Sequence, residues 1–232
     1  MEEIKFADDV EENNAIIGAM KDSMDILQEI SQNFSRKIFV AQLGVKQKSP
    51  FLALSLREAL IFRVEEVGRS AHEALAKKDL CSATILARAS LENAALMWAV
   101  YELVRDRKGV DDDAFNEKLR RLALGWKGDK EFPDAINVLN MIDAMDKFLK
   151  GARYDYNMLS EVVHPNFNGV IGMYCIIDKE EFSAAFGRNL KGYNTRATAA
   201  SMALAVSLSL SKYAYNSISD MMKDWIGELD RL

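Results

Sequence analysis

Apolar residues recur every three or four positions along most of the chain, and this period is typical of α-helices that bury one face. The stripe of Leu56, Leu60, Val64 and Val67 shows the pattern clearly. Three prolines and twelve glycines are few for 232 residues, which also favours long helices with short connections. The predicted helices are about 12–43, Pro50 through Leu75, about 79–107, a short charged helix after Asp113, 133–150, 152–163 and about 194–232.

Two segments depart from this pattern. Residues 79–107 are apolar nearly all round, so we predict that their helix is central and buried. The segment GVIGMYCIID, residues 169–178, is rich in glycine and β-branched residues, which predicts an extended stretch, either a short strand or a buried crossover. Taken together, the pattern predicts an all-α fold: an elongated multi-helix bundle with a long C-terminal helix, forming a single domain over residues 13–232.

The negative charge of the chain is concentrated at its start. Residues 1–12 carry a net charge of −5, equal to that of the whole chain, so we treat them as an acidic leader before a neutral body. A neutral body argues against nucleic acid as a partner. The most basic stretch, residues 105–131, has eight basic and seven acidic side chains, which is typical of a solvated loop and helix face.

Composition also bears on location and on self-association. The acidic start lacks the basic and apolar regions of a signal peptide, so we predict a cytoplasmic protein. The longest uncharged run, Ala197 to Ser211, has fifteen residues, fewer than the roughly 20 that span a membrane. Its small side chains suit close packing against another helix, and we predict that it supports a homodimer. Cys81 and Cys175 are predicted to be buried free thiols, and no cofactor is predicted.

One polar pair interrupts the predicted central helix. Arg88 and Glu92 lie one turn apart on a face of small residues, which leaves room for another group to approach. The pair is open to three interpretations: a buried structural pair, an exposed surface pair, or part of a functional site. Burial of such a pair costs several kcal/mol per ion unless further hydrogen-bond partners are supplied.

A second polar group lies at the predicted end of the helix over residues 152–163. Pro165 disfavours helical geometry at His164, so the imidazole is expected beside the unpaired carbonyls of the helix end. His164 is then a C-terminal cap or, with Ser160 one turn earlier, a base beside a nucleophile, although no oxyanion hole is identifiable. Glu161 and His164 have a Glu-x-x-His spacing, but di-iron bundles use two such motifs, so we predict no metal site.

The segments ILARASLENAALMW, residues 85–98, and YNMLSEVVHPN, residues 156–166, resemble a large family of bacterial all-helical proteins known as a domain of unknown function. The resemblance depends on an Arg-x-x-x-Glu helix and a later helix ending Ser-x-x-x-His. That family is similar in shape to HEPN domains, helical bundles of toxin and phage-defence systems, some of which are metal-independent ribonucleases. Their Arg-x(4 to 6)-His signature is absent here, because two, eight or ten residues separate the candidate arginines from a histidine.

These observations lead to one structural hypothesis and two functional ones. We predict that Arg88, Glu92, Ser160 and His164 form a single hydrogen-bonded cluster that satisfies buried polar groups and aligns the helices. The predicted function is an interaction or ligand-binding module, with a homodimer, another protein or a small ligand as partner. The alternative is a HEPN-like nuclease or a nucleotide-acting enzyme of a bacterial defence or toxin system.

Overall fold

The computed structural model describes residues 13–39, 48–107, 113–128, 130–188, 192–229 and 231. The acidic leader over residues 1–12 lies outside them. The described chain is all-α apart from one small hairpin, so the predicted fold class is confirmed. Its elements are α1 Asn14–Gln32, α2 Lys48–Ala76, α3 Leu80–Arg105, α4 Asp113–Leu124, α5 Val138–Phe148, α6 Ala152–Val163, α7 Ile171–Tyr174, β1 Cys175–Asp178, β2 Ser183–Phe186 and α8 Tyr193–Leu229.

Helix α3 lies at the centre of the bundle, as its sequence predicts. It packs against α2, α4, α5, α6 and α8, and most of its apolar residues, including Met97, Trp98 and Val100, are buried, whereas Ile85 is 43% exposed. A helix that is apolar over most of its surface has little area suited to water, so other helices must cover most of it. The central position of α3 follows from that requirement.

The two longest helices that pack against α3 run in opposite directions. Helix α8 is parallel to α3, because Leu80 packs near Ala197 at one end and Arg107 Nη2 donates to Glu228 Oε2 over 2.9 Å at the other. Helix α2 is antiparallel to both and packs its Gly68 against Leu208 of α8. Helix α1 covers the junction of α2 and α8, and the four helices α1, α2, α3 and α8 enclose most of the core.

Two helix ends differ from the predicted ones. Helix α1 ends at Gln32 and residues 34–39 are not helical, whereas the prediction continued to about residue 43; residues 40–47 lie outside the described part. The chain leaves the helix because Phe34 stacks on Phe62 of α2, with ring centroids 4.1 Å apart. Helix α5 begins after Asn137, not at Pro133, because the Asn137 side chain accepts a hydrogen bond from Leu139 N and caps the helix.

The segment predicted to be extended is divided between two elements. Residues 171–174 form the single turn α7, which the sequence pattern did not predict. Residues 175–178 form β1, which pairs antiparallel with β2 in a register that places Cys175 opposite Phe186 and Asp178 opposite Ser183. Phe182, in the hairpin turn, is 96% exposed. Of the β-branched residues in this segment, Ile176 and Ile177 therefore lie in a short surface strand, whereas Ile171 lies in α7.

Most small residues of the Ala197–Ser211 run are used inside the fold. Most side chains of the run are buried against the helices that surround α8, and those of Ala200, Leu204 and Leu208 are buried completely. Gly68 of α2 contributes to the same close approach, since a Cβ atom there would lie 2.9 Å from a Leu208 methyl and 3.1 Å from a Leu27 methyl. Among the described residues, no helix is both long and apolar enough to cross a membrane.

The contact at Gly68 yields a stability prediction. The Gly68→Val substitution should lower the free energy of unfolding by about 1–3 kcal/mol, because both leucine methyls must move in a packed core. Urea unfolding followed by circular dichroism measures the difference. The matched control is Gly18→Val on α1, where no atom lies within 4 Å of the added carbon and the expected change is within about 0.5 kcal/mol. Equal effects of the two substitutions would contradict close packing at Gly68.

Candidate functional site

Arg88 and Glu92 meet a third residue that the sequence hypothesis did not include. Arg88 Nη2 lies 3.1 Å from Glu92 Oε1, and both side chains are half-buried. Tyr156 of α6 lies between them: its hydroxyl accepts a hydrogen bond from Arg88 Nη2 over 2.8 Å and donates one to Glu92 Oε1 over 3.1 Å. The Arg88 guanidinium also lies 5.0 Å from the centre of the Tyr156 ring. The pair on α3 is therefore bridged by α6.

Ser160 contacts this group only through the backbone of α6. Its hydroxyl donates to the Tyr156 carbonyl oxygen over 2.7 Å, one turn earlier, and is only partly buried. A hydroxyl that donates to a backbone carbonyl of its own helix is a common local arrangement in helices. Ser160 thus lies beside the Arg88, Glu92 and Tyr156 cluster, but its hydroxyl does not bond to either charged side chain.

His164 is the C-terminal cap of α6, where the sequence predicts the helix end. Its backbone is extended, with φ −76° and ψ 142°, and its N–H donates to the Ser160 carbonyl over 3.1 Å. The side chain is exposed and lies two turns beyond Tyr156, about 12 Å along the helix. Among the described residues, no hydrogen bond joins the imidazole to Arg88, Glu92 or Ser160.

The chain folds back sharply after His164. A Cβ atom at Gly169 would lie 2.1 Å from the His164 carbonyl oxygen, so only glycine fits this close approach. Glu161 accepts a hydrogen bond from Asn166 Nδ2 over 2.9 Å and so helps to close the same loop. Within the described residues, no three His, Cys, Asp or Glu side chains are grouped as ligands for a metal ion. The Glu-x-x-His spacing thus lies where this loop closes.

A second polar cluster, which sequence reasoning missed, joins α2 to α8. Arg57 Nε donates to Glu58 Oε1 over 3.0 Å, a second guanidinium nitrogen donates to the same oxygen, and Arg57 Nη1 donates to Ser219 Oγ over 2.5 Å. The Tyr215 hydroxyl lies 3.0 Å from both oxygens of Glu58, and its ring lies 4.3 Å beneath the guanidinium carbon. The Arg57 and Glu58 side chains are each 9% exposed.

Burial explains the chemistry of this second cluster. Burial raises the pKa of Tyr215, while the charge of Arg57 lowers it and that of Glu58 raises it. The net pKa is raised, so the hydroxyl is a neutral donor. Buried opposite charges stabilise a fold only when additional hydrogen bonds satisfy them, and here Tyr215 and Ser219 supply those bonds. The sequence signal is weak because consecutive residues on a helix point about 100° apart and are not expected to pair.

Comparison of the chain with models of known protein families, with curated proteins and with solved structures found no match. The resemblance to a domain-of-unknown-function family and to HEPN domains therefore stays a prediction, and function is inferred from the geometry alone. The polar side chains of each cluster bond to one another and link two helices, and in each cluster a tyrosine hydroxyl lies within hydrogen-bond distance of a glutamate carboxylate.

Two substitutions compare the contributions of Tyr156 and His164 to the stability of the fold. Tyr156→Phe should lower the free energy of unfolding by about 1 kcal/mol, because it removes two hydrogen bonds to charged groups that are partly solvated. His164→Ala should change it by less than about 0.5 kcal/mol, because the imidazole is exposed. Chemical denaturation of both variants measures these changes in the free energy of unfolding. A loss at His164 equal to that at Tyr156 would place the imidazole in the cluster after all.

A substitution in the buried cluster of Arg57 and Glu58 should lower the stability of the fold far more than Tyr156→Phe does. Glu58→Gln should destabilise the fold by about 3–5 kcal/mol, because Arg57 is left as a buried charge without its counter-ion. The control is Glu65→Gln on the same helix, whose carboxylate pairs with the exposed Arg69 and should contribute about 1 kcal/mol or less. Thermal unfolding of the two variants compares them directly. Similar losses would show that the pair between Arg57 and Glu58 does not set the register of α2 on α8.

Proposed function

We propose that this protein is a helical interaction module that pairs with a second copy of itself through the outer face of α8. The observation that carries the proposal is a stripe on that face without a charged side chain over about six turns. All of its members are exposed except Val206, which is half-buried. The α8 stripe consists of Thr195, Ala199, Met202, Val206, Ser209, Tyr213 and Asn216.

The spacing of the α8 stripe supports helix pairing. Its members follow one another at alternating steps of four and three residues, which is the heptad period of a coiled-coil seam. The stripe extends for about 32 Å along the helix. Solvent-facing surfaces of helices normally carry charged residues, so a long uncharged seam is typical of a surface that another helix covers.

Apolar surface continues from the α8 stripe onto neighbouring helices. Phe148, at the end of α5, is 62% exposed and stacks on the buried Trp98 with ring centroids 4.5 Å apart. Tyr213 of the stripe lies 6.4 Å from the same indole and 5.8 Å from Tyr101, so the four rings form one group. Near the other end, Met158 of α6 and Ala199 of the stripe line a common cavity of about 360 Å³.

A second copy of the chain is the partner that suits this surface. An uncharged stripe has no complement to a strongly acidic or basic partner, but it can match itself across a two-fold axis. Antiparallel pairing of two α8 helices about Val206 places Ala199 opposite Tyr213 and Met202 opposite Ser209. Each small side chain then faces a large one, which is the arrangement that fills the space between packed helices.

The catalytic alternative has less support. A nuclease of the HEPN type would need a basic residue and a histidine acting together, and the His164 imidazole is exposed and separate from Arg88. Arg88 itself is paired with Glu92. A HEPN-like nuclease or nucleotide-acting enzyme therefore stays a prediction, with no observation in the geometry that favours it over the interaction module.

Self-association through α8 predicts a dimer that one charge can disrupt. The wild-type chain should elute with twice its chain mass of 26.1 kDa, and Met202→Glu should elute with that mass alone, because a carboxylate would be buried in the seam. Size-exclusion chromatography with light scattering measures both. Phe182→Glu, a similar change on the exposed hairpin, is the control and should remain dimeric. A monomeric wild type, or a dimeric Met202→Glu, would refute the proposed interface.

Cysteine cross-linking tests the direction of pairing in the same dimer. With Cys81 and Cys175 changed to serine, Ala199→Cys alone should form little covalent dimer on oxidation, whereas Ala199→Cys combined with Tyr213→Cys should form it readily. Antiparallel helices bring position 199 of one copy to position 213 of the other, within the short Cα separation that a disulfide requires. Efficient cross-linking by the single variant would instead indicate parallel helices.

A further inference from the structure

The cavity of about 360 Å³ beside the α8 stripe lies between α6 and the first turns of α8. Met158, Leu159 and Ala199 contribute apolar surface to its lining. Glu161 and Arg196 are the charged residues among the described lining, and their charges are of opposite sign. A largely apolar group with an uncharged polar end therefore suits this α6–α8 cavity best.

The stripe residues that line the α6–α8 cavity are small. Thr195 and Ala199 are both exposed, and the large aromatic residue of the stripe, Tyr213, lies toward its other end. Because Ala199 carries only a methyl group, α8 leaves the space beside Met158 unfilled. The stripe thus borders a hollow near one end and carries a half-exposed ring near the other.

The two-fold axis of the proposed dimer brings these two ends together. In the antiparallel pair about Val206, Tyr213 of the second copy lies opposite Ala199. By the same symmetry, Asn216 of the second copy lies opposite Thr195. Within one chain Tyr213 and Ala199 cannot meet, because 14 residues, about 21 Å along α8, separate them. Another copy is therefore required to bring this ring to the α6–α8 cavity.

Tyr213 has the properties of an interface anchor. Its side chain is 51% exposed, and its ring centroid lies 5.8 Å from that of Tyr101 and 6.4 Å from that of Trp98. A ring that neighbouring rings already support loses little conformational freedom when it binds. Tyrosine also combines an apolar ring with a hydroxyl, which matches a lining that includes the side chains of Thr195 and Asn168 as well as apolar ones.

We propose that Tyr213 of each copy inserts into the α6–α8 cavity of the other, so that the dimer contains two identical anchors. This inference rests on the proposed self-association through α8 and identifies the side chain on which that association most depends. The inserted ring packs between Met158 of α6 and Ala199 of α8. Helix α6 therefore belongs to the interface together with α8.

Dissociation constants of the dimer, measured by analytical ultracentrifugation of the full chain over a dilution series, test the anchor. Tyr213→Ala should raise the dissociation constant at least about thirtyfold, because both anchors are lost. Met158→Ala should raise it at least about fivefold, because it removes one wall of each cavity although it lies outside the α8 stripe. Circular dichroism checks that both variants are folded.

A methionine on α1 provides the matched control. Met24 is 37% exposed, against 49% for Met158, and does not line the α6–α8 cavity, so Met24→Ala should leave the dissociation constant unchanged. A loss of affinity in Met24→Ala equal to that in Met158→Ala would overturn the proposed role of the cavity.

The double variant tests whether the two residues touch. Met158→Ala combined with Tyr213→Ala should dissociate no more readily than Tyr213→Ala alone, because the contact is already lost. Independent effects of the two substitutions, or wild-type affinity of Tyr213→Ala, would overturn the anchor. Pairing through α8 would still stand in those cases if Met202→Glu disrupts the dimer. A monomeric wild type would overturn the pairing and the anchor together.

Discussion

The burial of most of the α3 surface is the constraint from which the rest of the structure follows. A helix of 26 residues that is mainly apolar is unstable in water, so α2, α4, α5, α6 and α8 each supply a face to cover it. The polar residues that α3 does carry then need partners from the covering helices. Tyr156 of α6 hydrogen-bonds to Arg88 and Glu92, and Arg63 of α2 donates to Asn93. The positions of the covering helices are therefore set by polar contacts as well as by apolar packing.

Polar clusters in this fold act mainly as fixed points between helices. The cluster of Arg57, Glu58, Tyr215 and Ser219 joins α2 to α8, and the cluster around Tyr156 joins α3 to α6. In each, a tyrosine hydroxyl hydrogen-bonds to the glutamate of an Arg and Glu pair on another helix. The outer face of α8, in contrast, is a surface that the fold leaves open.

The inner and outer faces of helix α8 have different roles in the protein. Its inner faces hold small residues that let α1, α2 and α3 approach closely, and Gly68 of α2 extends the same packing. Its outer face is the uncharged stripe. One long helix can serve both roles because its faces point in different directions along its whole length.

The sequence by itself determined the local features: an all-α fold, the bounds of α6, its end at His164 before Pro165, and the buried character of α3. Helical periodicity and proline geometry depend on residues within a turn of one another, so they can be recognised without coordinates. Only the tertiary structure decided that Tyr156 bridges Arg88 and Glu92, that Tyr215 completes the Arg57 and Glu58 pair, and that Phe34 ends α1 by stacking on Phe62. Tyr156 and Tyr215 lie far along the chain from the charges they satisfy. Which distant side chains meet depends on how helices pack, and no local pattern specifies that.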